Sequence, residues 1–171
     1  MDKEMTSVWR DYTIGYDKVL QNLSFYQDLK KRHLAALSES KKVVDMGAGT
    51  GNITIPLIEK GKKVYSVDIS AFKLSELMKK ADSIEDATNR LWTGLCDINN
   101  LNLPDDYFDG ASCMNVLYLA SVDPEKCIAE SYRVLKKGGI FAISSFKHNP
   151  NIDNFVKSGI EELQYKGLVD K

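Results

Sequence analysis

One segment constrains this chain more than any other: Val43-Val44-Asp45-Met46-Gly47-Ala48-Gly49-Thr50-Gly51-Asn52, an apolar run that breaks into three alternate glycines before a helix beginning near Asn52. Glycine lets the backbone turn at positive φ and lets a ligand approach the main chain where a side chain would intrude. A turn that only needs positive φ accounts for one glycine, and poorly for three at alternate positions. The spacing also sorts the ligands. A dinucleotide fingerprint, G-x-G-x-x-G, would need glycine where Asn52 stands, and a phosphate P-loop would need a lysine after its second glycine, which is missing here.

Around this loop the apolar pattern alternates between short β-branched runs and helical stretches, which predicts an α/β fold with a doubly wound, mostly parallel sheet and helices on both faces. Five strands are predicted, near Lys42–Met46, Lys63–Val67, Leu91–Cys96, Asp109–Asn115 and Ile140–Phe146. Ser70 caps a helix whose Leu74, Leu77, Met78 and Ala81 share a face. Asp123-Pro124-Glu125 supplies a cap, a first-turn proline and an acid for a second helix, which Lys136-Lys137-Gly138 is expected to end. Residues 9–37 read as one or two aromatic-rich helices, and Ile152–Tyr165 as another.

The order D-x-G-x-G-T-G at Asp45–Gly51 resembles motif I of the class I S-adenosylmethionine (SAM)-dependent methyltransferases, a Rossmann-like family. The resemblance continues in Val64-Tyr65-Ser66-Val67-Asp68-Ile69-Ser70, similar to the second-strand motif whose acid takes the ribose hydroxyls. Asp68 lies 21 residues beyond Gly47, the distance a crossover helix needs to bring two strand ends side by side. Leu95-Cys96-Asp97-Ile98 is similar to the acid after the third strand, which meets the adenine amino group. Leu103–Asp109 with Ala111–Leu117, and Arg133-Val134-Leu135-Lys136-Lys137-Gly138-Gly139, resemble the approaches to the fourth and fifth strands. The resemblance therefore implies SAM as cofactor, held by Asp45, Gly47, Ala48, Gly49, Thr50, Gly51, Asp68, Ile69, Asp97, Ile98 and Asn115.

Tyr12 and Tyr16 are four apart and share a helix face. By resemblance to small-molecule enzymes of the family they belong to a lid over the cofactor, with core packing the competing explanation. The expected organisation is a helical cap over residues 1–40 and a SAM-binding core over 41–171. His148 follows the fifth strand and is the candidate general base; His33, in Lys30-Lys31-Arg32-His33, reads as part of a solvated face. Asn115-Val116-Leu117-Tyr118 stands where the amine-methylating branch carries N-P-P-Y or D-P-P-Y, so the resemblance implies a small-molecule methyl acceptor. The alternative is a SAM-binding module or fragment without activity of its own; an NAD-type dehydrogenase is disfavoured by the glycine spacing.

With 23 Lys+Arg against 24 Asp+Glu there is no overall basic field to hold nucleic acid or an anionic membrane, and no apolar stretch suits a spanning helix. A cytoplasmic setting is expected. Cys96, Cys113 and Cys127 form no CxxC pair and no metal-ligand cluster, so no metal is expected and the cysteines read as small hydrophobes. Family members have seven strands, yet about 25 residues follow Phe146, so a chain lacking its last two strands is expected. Its fifth strand would then be an apolar edge open to pairing in a homodimer.

Overall fold

The computed structural model describes Gly15, residues 19–146 and residues 151–170, with only the backbone of Ile152. It divides into two compact units. Residues 30–145 form one, and the described parts of 1–29 and 146–171 form the other.

The larger unit is built on five strands: β1 (Lys42–Met46), β2 (Lys63–Asp68), β3 (Leu91–Leu95), β4 (Phe108–Met114) and β5 (Leu135–Ser144). Every pairing is parallel and the order is β3-β2-β1-β4-β5. The chain winds outward from β1 to β3, then returns to place β4 on the other side of β1. That reversal leaves a crevice at the carboxyl ends of β1 and β4, where open α/β sheets take ligands. The helices are α1 (Ser24–Ala36), α2 (Thr54–Glu59), α3 (Ala71–Ala81), α4 (Pro124–Val134) and α5 (Ile152–Tyr165). Among the described residues no helix is long and apolar enough to cross a membrane.

Residue parity along the strands assigns the two faces. Val44, Met46, Val67, Ala111 and Cys113 meet Cys127 and Val134 of α4. Val43, Val64 and Ala142 lie in the second cluster with Leu37, just past the end of α1, and with Leu57 and Ala81 of α2 and α3. Each fully buried Val or Leu contributes about 1.5–3 kcal/mol of transfer free energy.

The caps form as the sequence predicts. Ser70 accepts from the Lys73 N–H, and Asp123 accepts from those of Glu125 and Lys126. Met78 departs from expectation, being half exposed while Leu74, Leu77 and Ala81 are buried. The first four strands start and stop within one residue of the predicted positions, but the fifth does not: α4 ends at Val134 and β5 begins at once with Leu135. The cause is a set of competing bonds. Arg133 and Val134 carbonyls accept from the Asp106 and Tyr107 N–H groups, at 3.0 and 2.9 Å. Lys136 Nζ bonds Asp109 Oδ1 at 2.6 Å instead of capping the helix. A register shift between Phe108 and Gly110, with Gly138 at φ +82°, takes up the extra residues.

β5 is an edge of the sheet among the described residues, with Ile140 and Ile143 exposed. In the smaller unit Glu162 accepts from the Ser24 N–H and hydroxyl, and Phe25 meets the Phe155 ring edge-on at 4.9 Å. The α5 bounds match the prediction, with Asn151 capping the Asn154 N–H.

Gly110 is a packing requirement that no motif signals. A Cβ there would sit 2.5 Å from Ser40 Oγ and 2.6 Å from Leu37 Cδ2. Gly110→Ala should therefore cost about 1–3 kcal/mol, read as a lowered urea midpoint. An unchanged midpoint would mean that Leu37 and Ser40 yield freely.

Candidate functional site: the glycine loop and the ends of the strands

The loop after β1 closes onto β2. The N–H groups of Gly47 and Ala48 both donate to Val67 O, at 2.8 and 3.0 Å. All three loop glycines adopt positive φ, +72° at Gly47, +56° at Gly49 and +89° at Gly51, but their surroundings differ. A Cβ on Gly47 would come 2.6 Å from Val116 Cγ2, and one on Gly51 would come 2.9 Å from Leu77 Cγ. A Cβ on Gly49 would meet nothing within 4 Å. Two glycines thus admit neighbouring protein, and the middle one faces open space.

Asp68, at the end of β2, is 6% exposed. Its Oδ2 accepts from the Gly49 N–H at 2.9 Å and its Oδ1 from the Ser70 N–H at 2.8 Å. One carboxylate therefore fixes the glycine loop and the start of α3 together. Each oxygen keeps a further acceptor direction, so the group suits a pair of ligand hydroxyls. Ile69 beside it is 60% exposed. Thr50 and Ala48 are buried within the loop.

At the neighbouring strand ends, Asp97 is exposed and its Oδ1 accepts from the Asn99 N–H at 2.9 Å. Ile98 is buried among the core residues of the α4 face. Asn115, buried and left-handed at φ +57°, donates its N–H to Ser144 O at 3.0 Å. Tyr12, Tyr16 and His148 lie outside the described residues.

Asp45 is 2% exposed beneath the loop. It lies in register between Ser66 of β2 and Ser112 of β4, so the three side chains form a row on one face of the sheet. Thr54 Oγ1 donates to Asp45 Oδ2 at 2.7 Å and meets Ser66 Oγ at 2.6 Å. Burial pushes the Asp45 carboxyl up to about 6, against the pull of its hydrogen bond from Thr54.

His33 overturns the sequence reading. It is 3% exposed, with Nδ1 3.1 Å from Ser112 Oγ and Nε2 3.0 Å from Ser144 Oγ. Burial pushes its pKa down from the ordinary value. Sequence reasoning also passed over Asn99, whose side chain bonds Ser121 O and the Asp123 N–H and so ties the loop after β3 to the loop after β4.

A known family, described as a methyltransferase domain, matches residues 44–143, more than half of the chain. The chain belongs to that family. This places it among the class I SAM-dependent methyltransferases, whose motifs coincide with the loop and strand ends just described. Demethylmenaquinone methyltransferase of Tropheryma whipplei (strain Twist) is 29% identical, over 85% of this chain and 60% of that protein. The chloroplastic 2-methyl-6-phytyl-1,4-hydroquinone methyltransferase of Arabidopsis thaliana is 30% identical, over 99% of this chain and 55% of that protein. The chain thus spans 55–60% of the length of these two relatives. Among solved structures, the PH0226 protein from Pyrococcus horikoshii OT3 shares the fold with TM-score 0.64 and 21% identity, over 82% of this chain and 61% of that one.

Proposed function

We propose that this methyltransferase-family chain binds SAM at the carboxyl ends of β1 and β2 and transfers its methyl group to a small molecule, with a hydroquinone ring the favoured acceptor class. The observation that carries the cofactor assignment is the contrast among the loop glycines. Gly47 and Gly51 are filled by Val116 and Leu77, whereas the Cβ position of Gly49 opens on space beside Asp68, the volume a ligand would take. The acceptor class rests on the names of the two relatives, one of which carries a menaquinone and the other a hydroquinone.

When bound, SAM supplies a methyl group already activated on a sulfonium. In this reading Asp68 accepts from the ribose hydroxyls, Ile69 offers an apolar wall, and Asp97 with Asn115 flanks the base. The chain's task is then to hold the acceptor in line with the methyl and to remove a proton as the new bond forms. His148 is proposed to take that proton, and Tyr12 and Tyr16 to cover the cofactor, on sequence grounds alone. Self-association along the β5 edge and a cytoplasmic setting belong to the same proposal.

The test is titration calorimetry with SAM on the wild type and on Asp68→Ala. Loss of charge-assisted bonds should weaken binding by about 1.5–3 kcal/mol, roughly 10- to 150-fold. Unchanged affinity in the variant would withdraw the ribose assignment. A mass gain of one methyl on a demethylated quinol would support the acceptor class, and SAM binding without turnover would favour a cofactor module that lacks activity alone.

A further inference from the structure

Two loops border the crevice, and one side chain joins them. The loop after β3 carries Asp97, and residues 116–122 lead from the end of β4 to the start of α4. Asn99 belongs to the first. Its N–H donates to Asp97 Oδ1 at 2.9 Å, while its side-chain amide crosses to the second loop, where Nδ2 donates to Ser121 O at 2.9 Å and Oδ1 accepts from the Asp123 N–H at 2.8 Å. Only one orientation of the amide serves both bonds, because turning it over would set NH2 against N–H and carbonyl against carbonyl.

Asn99 is itself held in place. Ile98 before it and Leu101 two residues after it are buried in the core of the α4 face. The Leu101 N–H donates to Glu130 Oε2 at 2.6 Å, and Arg133 donates from Nη2 to Leu101 O at 2.8 Å and from Nη1 to Leu103 O at 2.7 Å. Glu130 and Arg133 stand on α4, so the helix whose cap residue Asp123 is bonded by Asn99 also anchors the loop that carries Asn99. The circuit closes on a rigid element.

At its other end the second loop meets the glycine loop. Val116 is buried against Gly47, in the space a Cβ there would need. Onward from it the Leu119 N–H donates to Val116 O and the Val122 N–H to Leu119 O, a run of turns with Leu117, Leu119 and Val122 half-buried against the core. Residues 116–122 thus hang between the two segments proposed to hold the cofactor, packed on one at Val116 and bonded to the other through Asn99.

We propose that Asn99 is a positioning residue that couples the base end of the cofactor site to the loop after β4: holding Asp97 with its N–H and residues 121 and 123 with its amide, it makes that loop stiffen when SAM binds. This rests on the reading of Asp97 as the partner of the SAM base. Asn99 touches no cofactor in this account; it acts through Asp97 and through the loop. A run of turns lacks the ladder bonds of a strand or helix, so it opens at low cost and gains most from a neighbour that a ligand fixes.

The experiment is amide hydrogen exchange on the intact chain with and without saturating SAM, for the wild type, Asn99→Ala and Asn99→Asp, with calorimetry and thermal unfolding alongside. In the wild type SAM should slow exchange roughly tenfold at residues 47–51 and at 117–122. Asn99→Ala should keep the protection at 47–51 and lose it at 117–122. Asn99→Asp should lose it there too, having no donor for Ser121 O, while its carboxylate keeps the Asp123 amide slower than in Asn99→Ala. Equal protection of 117–122 by SAM in the wild type and both variants would overturn the proposal, and so would a wild-type loop that exchanges alike with and without SAM. A lower melting temperature with an unaltered pattern of protection would make Asn99 a plain structural tie. If Asn99→Ala fails to fold, Asn99→Asp decides by the same comparison. A wild type that binds no SAM would withdraw the cofactor reading and this proposal with it, whereas binding without protection of the loop withdraws this proposal alone.

Discussion

Gly49→Val should fold and yet lose SAM binding by more than about a hundredfold, about 2.7 kcal/mol or more. Gly49 sits at φ +56° with nothing within 4 Å of its Cβ position, so the added side chain meets no protein. The left-handed backbone costs a β-branched residue about 1–2 kcal/mol, which a cooperative domain tolerates in one loop. What the valine does occupy is the volume against the main chain where the cofactor is proposed to lie. Gly47→Val is the control, because its Cβ would collide with Val116 at 2.6 Å and strike the fold itself. Calorimetry and thermal unfolding on both variants separate the effects. Normal SAM binding by a folded Gly49→Val protein would move the crevice away from this loop.

The fold was legible in this sequence because periodicity and punctuation agree. Short β-branched runs stop at glycine or charge, Ser70 and Asp123 cap the helices they precede, and the three alternate glycines mark the turn from β1. The boundary between α4 and β5 was misread because Lys136-Lys137-Gly138 has the local chemistry of a helix end. Asp109, distant in sequence, takes Lys136 for its own and draws the segment into the sheet. A local signal lost there to a long-range ion pair.

The site was legible where the backbone carries the chemistry and hidden where buried side chains do. Glycines and strand-end acids can be read from spacing. His33 stands in a basic run that looks solvated, yet it lies four residues before the fully buried Leu37, whose N–H, just past the end of α1, donates to the His33 carbonyl. Ser66 and Ser112 were visible as polar residues inside otherwise apolar strands, Tyr65-Ser66-Val67 and Ala111-Ser112-Cys113. Such a residue asks for a partner. The partner could not be named without the register that sets both serines beside Asp45.

The second large effect concerns Asp45 and pH. Asp45→Asn should be most favourable to stability at neutral pH, and that advantage over the wild type should shrink on acidification. Burial pushes the folded-state pKa of Asp45 up to about 6, from an ordinary 3.8. Between those values the folded protein binds more protons than the unfolded chain, so wild-type stability from this group rises as pH falls through the window. The cost of the buried charge is present in full above about 6. It amounts to about 3 kcal/mol, of which about 2 kcal/mol is relieved by a pH of roughly 4.5. His33 acts with the opposite sign. Its pKa is lowered by burial from 6.5, so the unfolded imidazole gains its proton first and stability is lost as pH falls below that value. The wild type sums two opposing trends, whereas the Asp45→Asn variant keeps only the second and should lose stability more steeply toward acid. Urea unfolding of both proteins at a mildly alkaline and a mildly acidic pH measures the difference directly. Parallel pH profiles would show that Asp45 is not a buried carboxylate in the folded protein. If SAM affinity also falls in Asp45→Asn at neutral pH, the buried charge costs stability at the position where binding requires it, the trade-off expected at a functional site.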